Sequence, residues 1–275
     1  MPLSNSITRV IVAVLVIPLI LAVCYFGKYY FLVFALGIAL LSFYEFTLLA
    51  KSKGMNLNLW LGIVGIIFIV SNQYFHFPLD NYHFLILFTV IICLIELYRN
   101  NGSAIYNLSG TLFGVIYIGL FTAALIGLRE FYSSFEERYN NGGFLVIFIF
   151  ASIWICDSAA YYGGTAFGKH KLFLRVSPKK SWEGAVFGFV FAVLTMIAAK
   201  FIVLDFLSWN TIITLGIIIG IIGQLGDLVE SLLKRDAQVK DSSNIIPGHG
   251  GIFDRFDSLL LTAPVILLYL TYVKW

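Results

Sequence analysis

The sequence predicts an all-α polytopic integral membrane protein with about nine transmembrane helices. Of its 275 residues, 60% are hydrophobic and only 12% are charged, whereas charged residues make up about a quarter of a soluble domain. The hydrophobic residues occur in long blocks rather than in short alternating runs, which favours membrane helices over a β-barrel. The net charge of +3 is small, and we expect no nucleic-acid partner.

Nine hydrophobic blocks are of membrane-spanning length. Their approximate limits are 7–26, 29–50, 57–75, 82–98, 108–128, 143–163, 184–204, 211–233 and 256–274. Only Gly27 and Lys28 separate the first two blocks, so these blocks form a very tight hairpin or one of them is re-entrant. The first block follows Arg9 as in a signal peptide, but a second block comes almost at once, which favours a retained span.

The orientation follows from the distribution of basic residues. Thirteen of the 18 Lys and Arg residues lie in one set of connections, which the positive-inside rule assigns to the cytoplasm. The N-terminus is then cytoplasmic, the C-terminus lies outside, and the long polar connections 164–183 and 234–255 both face the cytoplasm. We expect residues 1–142 (spans one to five) to form a scaffold and residues 143–275 (spans six to nine) to form the catalytic region. The thirteen residues are Arg9, Lys51, Lys53, Arg99, Lys169, Lys171, Arg175, Lys179, Lys180, Lys234, Arg235, Lys240 and Arg255.

Several polar residues are interpreted as structural. All three cysteines lie inside hydrophobic blocks without a CxxC spacing, so neither a zinc site nor a disulfide is predicted. Glu45 and Glu96 lie near the cytoplasmic ends of spans two and four, where a carboxylate can reach water. The outer segment 129–143 carries scattered charges of both signs and is interpreted as a solvated loop.

Two aspartates lie deeper in the predicted spans, where an ionisable side chain is costly and usually functional. Asp157, in span six, is followed by small residues that allow a helix or a ligand to approach closely. Asp227, in span eight, shares one helix face with Glu230 and Lys234, because the three lie at positions i, i+3 and i+7. This polar stripe leads directly into the connection 234–255.

Asp254 and Asp257 lie at the start of the last hydrophobic block. If a helix begins near Phe253, both carboxylates lie on one face of its first turn, beside free backbone N–H groups. Two carboxylates so close repel each other unless a cation lies between them, and hard oxygen ligands favour magnesium. Asp227, from the neighbouring span, is the candidate that completes this site.

Glycines and basic residues surround these aspartates in the sequence. The segment PGHGG at residues 247–251 exposes successive backbone N–H groups that can bind an anion. Lys and Arg residues in both cytoplasmic connections, among them Lys179 and Lys180, add positive charge. This combination suits a nucleoside triphosphate. Because the aspartates lie at the mouth of a membrane segment, we expect the second reactant to be a lipid whose phosphate lies at that depth.

The stretch SLLKRDAQVKDSSNIIPGHGGIFDRFD resembles the signature of the phosphatidate cytidylyltransferase (CDP-diacylglycerol synthase) family. Two further stretches, CDSAAYYGGTAFGKHKL and SPKKSWEG, also resemble the family, with Ser181 where Thr is more usual. The similarity covers about the last 120 residues. Every fixed position of the signature is met, by Ser231, Lys234, Arg235, Lys240, Asp241, Pro247, His249, Gly250, Gly251, Asp254, Arg255 and Asp257.

The resemblance implies that CTP and phosphatidic acid react to give CDP-diacylglycerol and pyrophosphate in phospholipid biosynthesis. The expected location is the inner cell membrane, with the active site facing the cytoplasm. The resemblance also implies a Mg²⁺ cofactor, with room for a second, monovalent cation, and a homodimer. It leaves open whether dCTP replaces CTP.

The resemblance assigns roles residue by residue. Metal roles fall to Asp227, Asp254 and Asp257, with Asp157 as a further candidate ligand. Lys234, Arg255 and His249 are the other catalytic candidates. His249 is expected to bind a phosphate or position the loop rather than act as a base. The candidates for substrate and phosphate binding are Ser177, Lys179, Lys180, Lys234, Arg235, Lys240, Gly250 and Gly251.

Three alternatives remain. The CDP-alcohol phosphotransferases are also membrane-bound and Asp-rich, but their D-G-x-x-A-R start is absent and the Asp254–Asp257 spacing is too short. A CTP-dependent lipid or polyprenol kinase would use a similar site but transfers the γ-phosphate. An ion-coupled transporter could use Asp157 and Asp227. Transporter sites usually lie near the midplane, whereas the polar groups here crowd toward one face of the membrane.

Overall fold

The computed structural model describes residues 5–134, 136–243, 245 and 250–273, and for residues 5–13 it describes the backbone alone. The helices are α1 (Asn5–Phe26), α2 (Lys28–Ser52), α3 (Leu59–Phe75), α4 (Asn81–Tyr98), α5 (Ala104–Gly114), α6 (Phe121–Arg129), α7 (Tyr139–Phe167), α8 (Trp182–Ile202), α9 (Trp209–Ile218), α10 (Gln224–Asp236) and α11 (Phe253–Tyr272). The strands are β1 (Lys171–Phe173) and β2 (Ser177–Ser181). A single 3₁₀ turn, Glu136–Arg138, precedes α7.

Two π-helical segments join helices that belong to single predicted spans. Val115–Leu120 links α5 to α6, and Ile219–Gly223 links α9 to α10. Such segments are rare and occur frequently near functional sites. The second one directly precedes α10, which carries Asp227.

Within the described residues, nine continuous helical stretches coincide with the nine predicted blocks. The structure therefore confirms a helical, polytopic membrane protein, whereas the count of nine spans and the orientation stay predictions. Two apolar helices of the described chain, Val14–Phe26 and Leu59–Phe75, are shorter than the six helices given next. Six helices of the described chain are long and apolar enough to cross a membrane, namely Lys28–Ser52, Asn81–Tyr98, Ala104–Arg129, Glu136–Phe167, Trp182–Ile202 and Trp209–Asp236.

One residue separates α1 from α2. Gly27 has a φ of 63°, a backbone conformation that strains residues with a side chain. Its N–H donates to the carbonyl of Val23 at 2.9 Å, and its own carbonyl accepts from the N–H of Phe31 at 3.2 Å. The shortness of this connection, which the sequence indicates, therefore depends on a glycine.

The connection between α7 and α8 contains an antiparallel hairpin that the sequence analysis did not predict. In this hairpin Lys171 lies opposite Ser181, and Phe173 lies opposite Ser177. Helix α7 also continues to Phe167, beyond the predicted limit of span six at residue 163. The basic residues of this connection are therefore carried by an ordered element rather than by an irregular loop.

The chain divides into two compact units, each assembled from separate stretches. The first comprises Met1–Val23, Gly27–Gly127 and Leu233–Phe256, and the second comprises Cys24–Phe26, Leu128–Leu232 and Asp257–Trp275. The expected division of labour between residues 1–142 and 143–275 stays a prediction.

The first unit has a hydrophobic core between α2, α3 and the helical stretch that starts at Ala104. Phe43, Ile66 and Ile118 are completely buried there. Glu96 is only 7% exposed and accepts a hydrogen bond from Nδ2 of Asn107 at 2.7 Å. The expectation that its carboxylate reaches water is therefore wrong, because the side chain is enclosed between α4 and α5.

The second unit is built on the packing of α7 along α8. Arg129 of this unit is completely buried. It donates to the carbonyls of Cys24 at 2.6 Å, Tyr25 at 2.9 Å and Tyr139 at 3.1 Å. The interpretation of segment 129–143 as a solvated loop is therefore wrong at Arg129, whose guanidinium satisfies backbone carbonyls at the end of α1.

Candidate active site

Asp227 lies in the first turn of α10 and is paired with a lysine of the hairpin. Nζ of Lys180 lies 2.5 Å from Oδ2 of Asp227, and the hydroxyl of Ser231 donates to Oδ1 at 3.2 Å. The side chains of Lys180 and Asp227 are 29% and 32% exposed. The structure thus brings together β2, which carries Lys180, and α10, which carries Asp227. The sequence analysis assigned both residues to one site.

The hairpin and the start of α8 hold Lys180 in place. Lys180 lies on β2, directly before Ser181, whose hydroxyl accepts from the N–H of Gly184 at 3.2 Å and caps α8. Gly184 has no room for a side chain, because a Cβ would lie 2.6 Å from the carbonyl oxygen of Ala160. The small residues after Asp157 therefore allow the close helix approach that the sequence predicts.

Asp257 lies where α11 crosses α10 in the second unit. A Cβ on Gly226, the neighbour of Asp227, would lie 2.7 Å from the carbonyl oxygen of Asp257 and 3.0 Å from Cα of Ser258. Only a glycine permits this approach, which sets Asp227 and Asp257 on adjoining turns of two helices in contact. Asp257 is half-buried, and its Oδ1 accepts from the N–H of Ser258 at 2.6 Å.

Asp254 belongs to the first unit and is surrounded by donors. Nζ of Lys234 lies 2.6 Å from its Oδ1. Its Oδ2 accepts from the N–H of Ser242 at 3.0 Å and the N–H of Gly251 at 2.8 Å, and the Ser242 hydroxyl lies 2.9 Å away. Helix α11 begins at Phe253, as expected, and Asp254 resembles the acidic half of a capping box at its N-terminus.

The two glycines of the signature shape this loop. Gly250 has a φ of +84°, and a Cβ at Gly251 would lie 2.0 Å from the Ser242 hydroxyl oxygen. The N–H of Gly251 donates to Asp254 rather than pointing away from the protein. The phosphate-binding roles of Gly250 and Gly251 stay predictions, and the structure gives both glycines a clear part in forming the loop.

Glu45, on α2, contacts this loop, a role that the sequence analysis did not predict. Its side chain is completely buried, so the expectation that it reaches water is wrong. Its carboxylate accepts from the N–H groups of Ile252 at 3.0 Å and Phe253 at 2.7 Å. The signal available in the sequence was the cost of a carboxylate at membrane depth.

The remaining candidates differ in exposure. Asp157, on α7, is exposed, and Ser177 is half-buried. The side chain of Lys234 is 12% exposed. His249 lies outside the described residues. The exposed basic candidates are Lys179, Arg235, Lys240 and Arg255.

A magnesium ion needs carboxylate oxygens with lone pairs available for coordination. Asp227 and Asp257 are half-buried and lie on adjoining helix turns, and a Mg²⁺ ion between them would take the place of the Lys180 ammonium at Asp227. Asp254 fits less well than Asp227, since its side chain is 3% exposed, against 32% for Asp227, and donors of the protein surround both of its oxygens. Across the described ranges, no group of three or more His, Cys, Asp or Glu side chains could hold a metal ion. The metal set of the sequence analysis, including Asp157, stays a prediction.

Comparison with known proteins shows the family to which the chain belongs. The sequence model of the cytidylyltransferase family matches residues 7–273, so the chain belongs to this family. A phosphatidate cytidylyltransferase of Brucella suis is 31% identical over 272 residues, which cover 97% of this chain and 94% of the relative.

Two further relatives carry the same name. A phosphatidate cytidylyltransferase of Staphylococcus aureus is 32% identical over 270 residues, covering 97% of this chain and 98% of the relative. One of Haemophilus influenzae is 43% identical over 163 residues, and this match spans 56% of the chain but only 54% of the relative. The similarity therefore extends well beyond the last 120 residues on which the sequence resemblance was based.

Proposed function

We propose that the protein transfers the cytidylyl group of CTP to phosphatidic acid, giving CDP-diacylglycerol and pyrophosphate. The observation that carries this proposal is the match to the family over residues 7–273, with relatives named phosphatidate cytidylyltransferase aligned over 97% of the chain. The complete signature from Ser231 to Asp257 supports it. We draw the acceptor and the nucleotide from those names and from the chemistry of the site.

The reaction needs no strong base. The phosphate of phosphatidic acid is already an anion, and one of its oxygens attacks the α-phosphorus of CTP. A new P–O bond forms there, and the bond from the α-phosphorus to the bridging oxygen of the β-phosphate breaks. Pyrophosphate leaves with that electron pair. Catalysis therefore rests on positioning and on neutralising the phosphate charge.

Basic side chains of the signature segments are the proposed source of this neutralisation. Lys180 is held beside Asp227 but remains partly exposed, so its ammonium can also bind a phosphate oxygen. Arg255 and Lys179 are exposed and extend from segments of the family signature. Lys234 binds the buried carboxylate of Asp254, so its first role is to hold that aspartate.

Asp227 and Asp257 are the residues that would hold Mg²⁺, which would neutralise charge on the triphosphate. Their half-buried carboxylates and the close approach at Gly226 support this assignment. A metal role for Asp254 requires Lys234 to leave Oδ1, and a second, monovalent cation stays a prediction of the resemblance. The choice between CTP and dCTP and the homodimer are further proposals from the same source.

We place the reaction at the cytoplasmic face of the inner membrane, on the basis of the Lys and Arg distribution. A cysteine introduced at Ser177, in a variant without the native cysteines, is expected to react with a membrane-impermeant thiol reagent only from the cytoplasmic side. Inverted and right-side-out vesicles give the two measurements. Labelling in right-side-out vesicles would contradict the orientation.

The function is tested with purified protein in detergent, supplied with phosphatidic acid, Mg²⁺ and CTP labelled in either the α- or the γ-phosphate. The α-label is expected in the lipid and the γ-label in pyrophosphate. Transfer of the γ-label to lipid would establish a kinase instead. Ion-driven uptake by proteoliposomes in the absence of CTP would favour a transporter.

A further inference from the structure

The carboxylate of Glu45 holds the segment that connects α10 to α11. Glu45 lies on α2 and is completely buried. Its Oε1 accepts from the Ser243 hydroxyl at 2.6 Å and the N–H of Ile252 at 3.0 Å. Its Oε2 accepts from the N–H of Phe253 at 2.7 Å, with the Ser242 hydroxyl at 3.0 Å. One side chain thus binds both ends of the segment 242–253.

These contacts require a carboxylate. Among the described residues, the hydrogen-bond partners of Glu45 are donors, and two of them are backbone N–H groups at the start of α11, where a helix leaves such groups without internal partners. A negative charge at this end also interacts favourably with the helix dipole. A glutamine of the same shape would offer one accepting oxygen, and its NH₂ group would face donors on the other side.

The same contacts determine where Asp254 lies. The Ser242 hydroxyl is 3.0 Å from Oε2 of Glu45 and 2.9 Å from Oδ2 of Asp254, so it links the two carboxylates. A Cβ on Gly251 would lie 2.4 Å from Oε2 of Glu45, so the loop lies directly against this carboxylate. Glu45 therefore fixes the turn from which Asp254 and Arg255 extend.

We propose that Glu45 is a positioning residue for the reaction, a role that rests on the proposed cytidylyl transfer. It binds Ser242, Ser243, Ile252 and Phe253, so that Asp254 and Arg255 take up their working positions. Glu45 itself does not touch the substrates. Its contribution passes through the backbone of residues 251–253 and through Ser242.

The first arm of the test measures the loop without substrate. In Glu45→Gln, amide hydrogen exchange of a peptide covering residues 250–256 is expected to speed up by about tenfold or more, because one of the N–H groups of Ile252 and Phe253 loses its acceptor and faces the NH₂ group instead. Glu96→Gln is the matched control, since Glu96 is a carboxylate of the same unit that is 7% exposed and binds Asn107 instead. Equal exchange in both variants overturns the proposal.

The second arm measures kinetics with CTP and phosphatidic acid. A smaller folded fraction lowers kcat and leaves the KM for CTP unchanged, whereas a misplaced loop changes the KM. We expect kcat/KM for CTP to fall by about tenfold or more in Glu45→Gln, with a raised KM, and to stay near wild type in Glu96→Gln. Faster exchange with unchanged kinetic constants overturns the positioning role.

Two variants guard against a folding failure. Ser243→Ala removes one donor from a half-buried position and is expected to change the exchange rate and the kinetic constants in the same direction as Glu45→Gln, but by less. Glu45→Asp keeps the charge and should recover part of the activity that Glu45→Gln loses. If wild-type protein forms no CDP-diacylglycerol, the proposed function fails. In that case the exchange comparison still decides whether Glu45 holds the loop.

Discussion

Glu45 and Asp254 of the first unit differ from Asp227 and Asp257 of the second in what already surrounds them. The Asp254 side chain is 3% exposed, and Glu45 is completely buried. Both carboxylates accept hydrogen bonds from backbone N–H groups. The Asp227 side chain in the second unit is 32% exposed, and Asp257 is half-buried.

This difference separates carboxylates that hold the protein's own backbone from carboxylates that can bind a ligand. A buried charge is tolerated only when protein donors satisfy it, and once satisfied it has little capacity for a substrate or metal. A partly exposed carboxylate can exchange a neighbouring donor for a ligand. We therefore expect substitutions of Glu45 and Asp254 to act mainly through stability and order, and those of Asp227 and Asp257 mainly through activity.

The largest effect on activity is expected from the half-buried pair Asp227 and Asp257. Asp227→Asn and Asp257→Asn keep the size of the side chain but remove the charge that would bind Mg²⁺. Cytidylyl transfer should fall by about 100- to 1,000-fold or more, as for the loss of a group that stabilises transition-state charge. Initial rates at several Mg²⁺ concentrations give the measurement, and raised Mg²⁺ should rescue part of the loss.

The double variant and a control sharpen this prediction. The two substitutions should be strongly non-additive, because carboxylates that bind one ion act as a unit. Asp205→Asn is the control, since Asp205 is exposed in the predicted outer connection after α8. A folded Asp257→Asn protein with near-normal transfer would remove the metal assignment.

Asp254→Asn should instead cost stability. The substitution removes the charge that pairs with Lys234 at 2.6 Å and places an NH₂ group against either Lys234 or the N–H of Gly251. Removing one partner of a buried ion pair typically costs about 3 kcal/mol or more. Unfolding in detergent should therefore shift clearly for Asp254→Asn and little for Asp257→Asn. The opposite ranking would show that the comparison between the units is wrong.

The sequence predicted the helices well because membrane spans are encoded locally, in uninterrupted hydrophobic blocks. The start of α11 at Phe253 was also predictable, since a polar, glycine-rich stretch there gives way to an apolar one. The hairpin was missed because its strands are three and five residues long and have no alternating apolar pattern.

Single residues of the loop around Asp254 were predictable from the sequence, but the contacts between them were not. The signature marks Asp254 and Gly251 as important. The local sequence does not indicate that the N–H of Gly251 donates to the Asp254 carboxylate. The partners of Glu45 lie 197 to 208 residues away in the chain, so its role follows only from the packing of α2 against the loop. A buried carboxylate in a predicted span was the one warning that the sequence offered.

Basic residues of the signature segments should show a smaller effect on activity. Lys180→Ala or Arg255→Ala removes one charge-assisted contact to phosphate, each typically worth about 1.5–3 kcal/mol, so transfer should fall by about 10- to 100-fold. Lys51→Ala is the control, because Lys51 is exposed at the end of α2 outside the signature. Equal losses in all three variants would mean that the signature segments have no special part in the reaction.

The smallest effect is expected from the exposed ion pair of Lys53 with Asp236. It has the same residue types as the buried pair of Lys234 with Asp254. Nζ of Lys53 lies 3.2 Å from Oδ1 of Asp236, and these side chains are 41% and 65% exposed. The Lys234 and Asp254 side chains are 12% and 3% exposed, although Lys234 and Asp236 lie in the same last turn of α10.

Exposed pairs contribute about 0–1 kcal/mol, so Lys53→Ala should hardly change unfolding in detergent, whereas Lys234→Ala should lower stability by about 3 kcal/mol. Transfer by Lys53→Ala should match wild type. Because both variants remove a lysine that pairs with an aspartate of the first unit, their difference measures the effect of burial. If the two variants lost equal stability, the effect of each lysine would come from ion pairing and not from burial. Burial could then not explain why Asp254→Asn and Asp257→Asn should differ in stability.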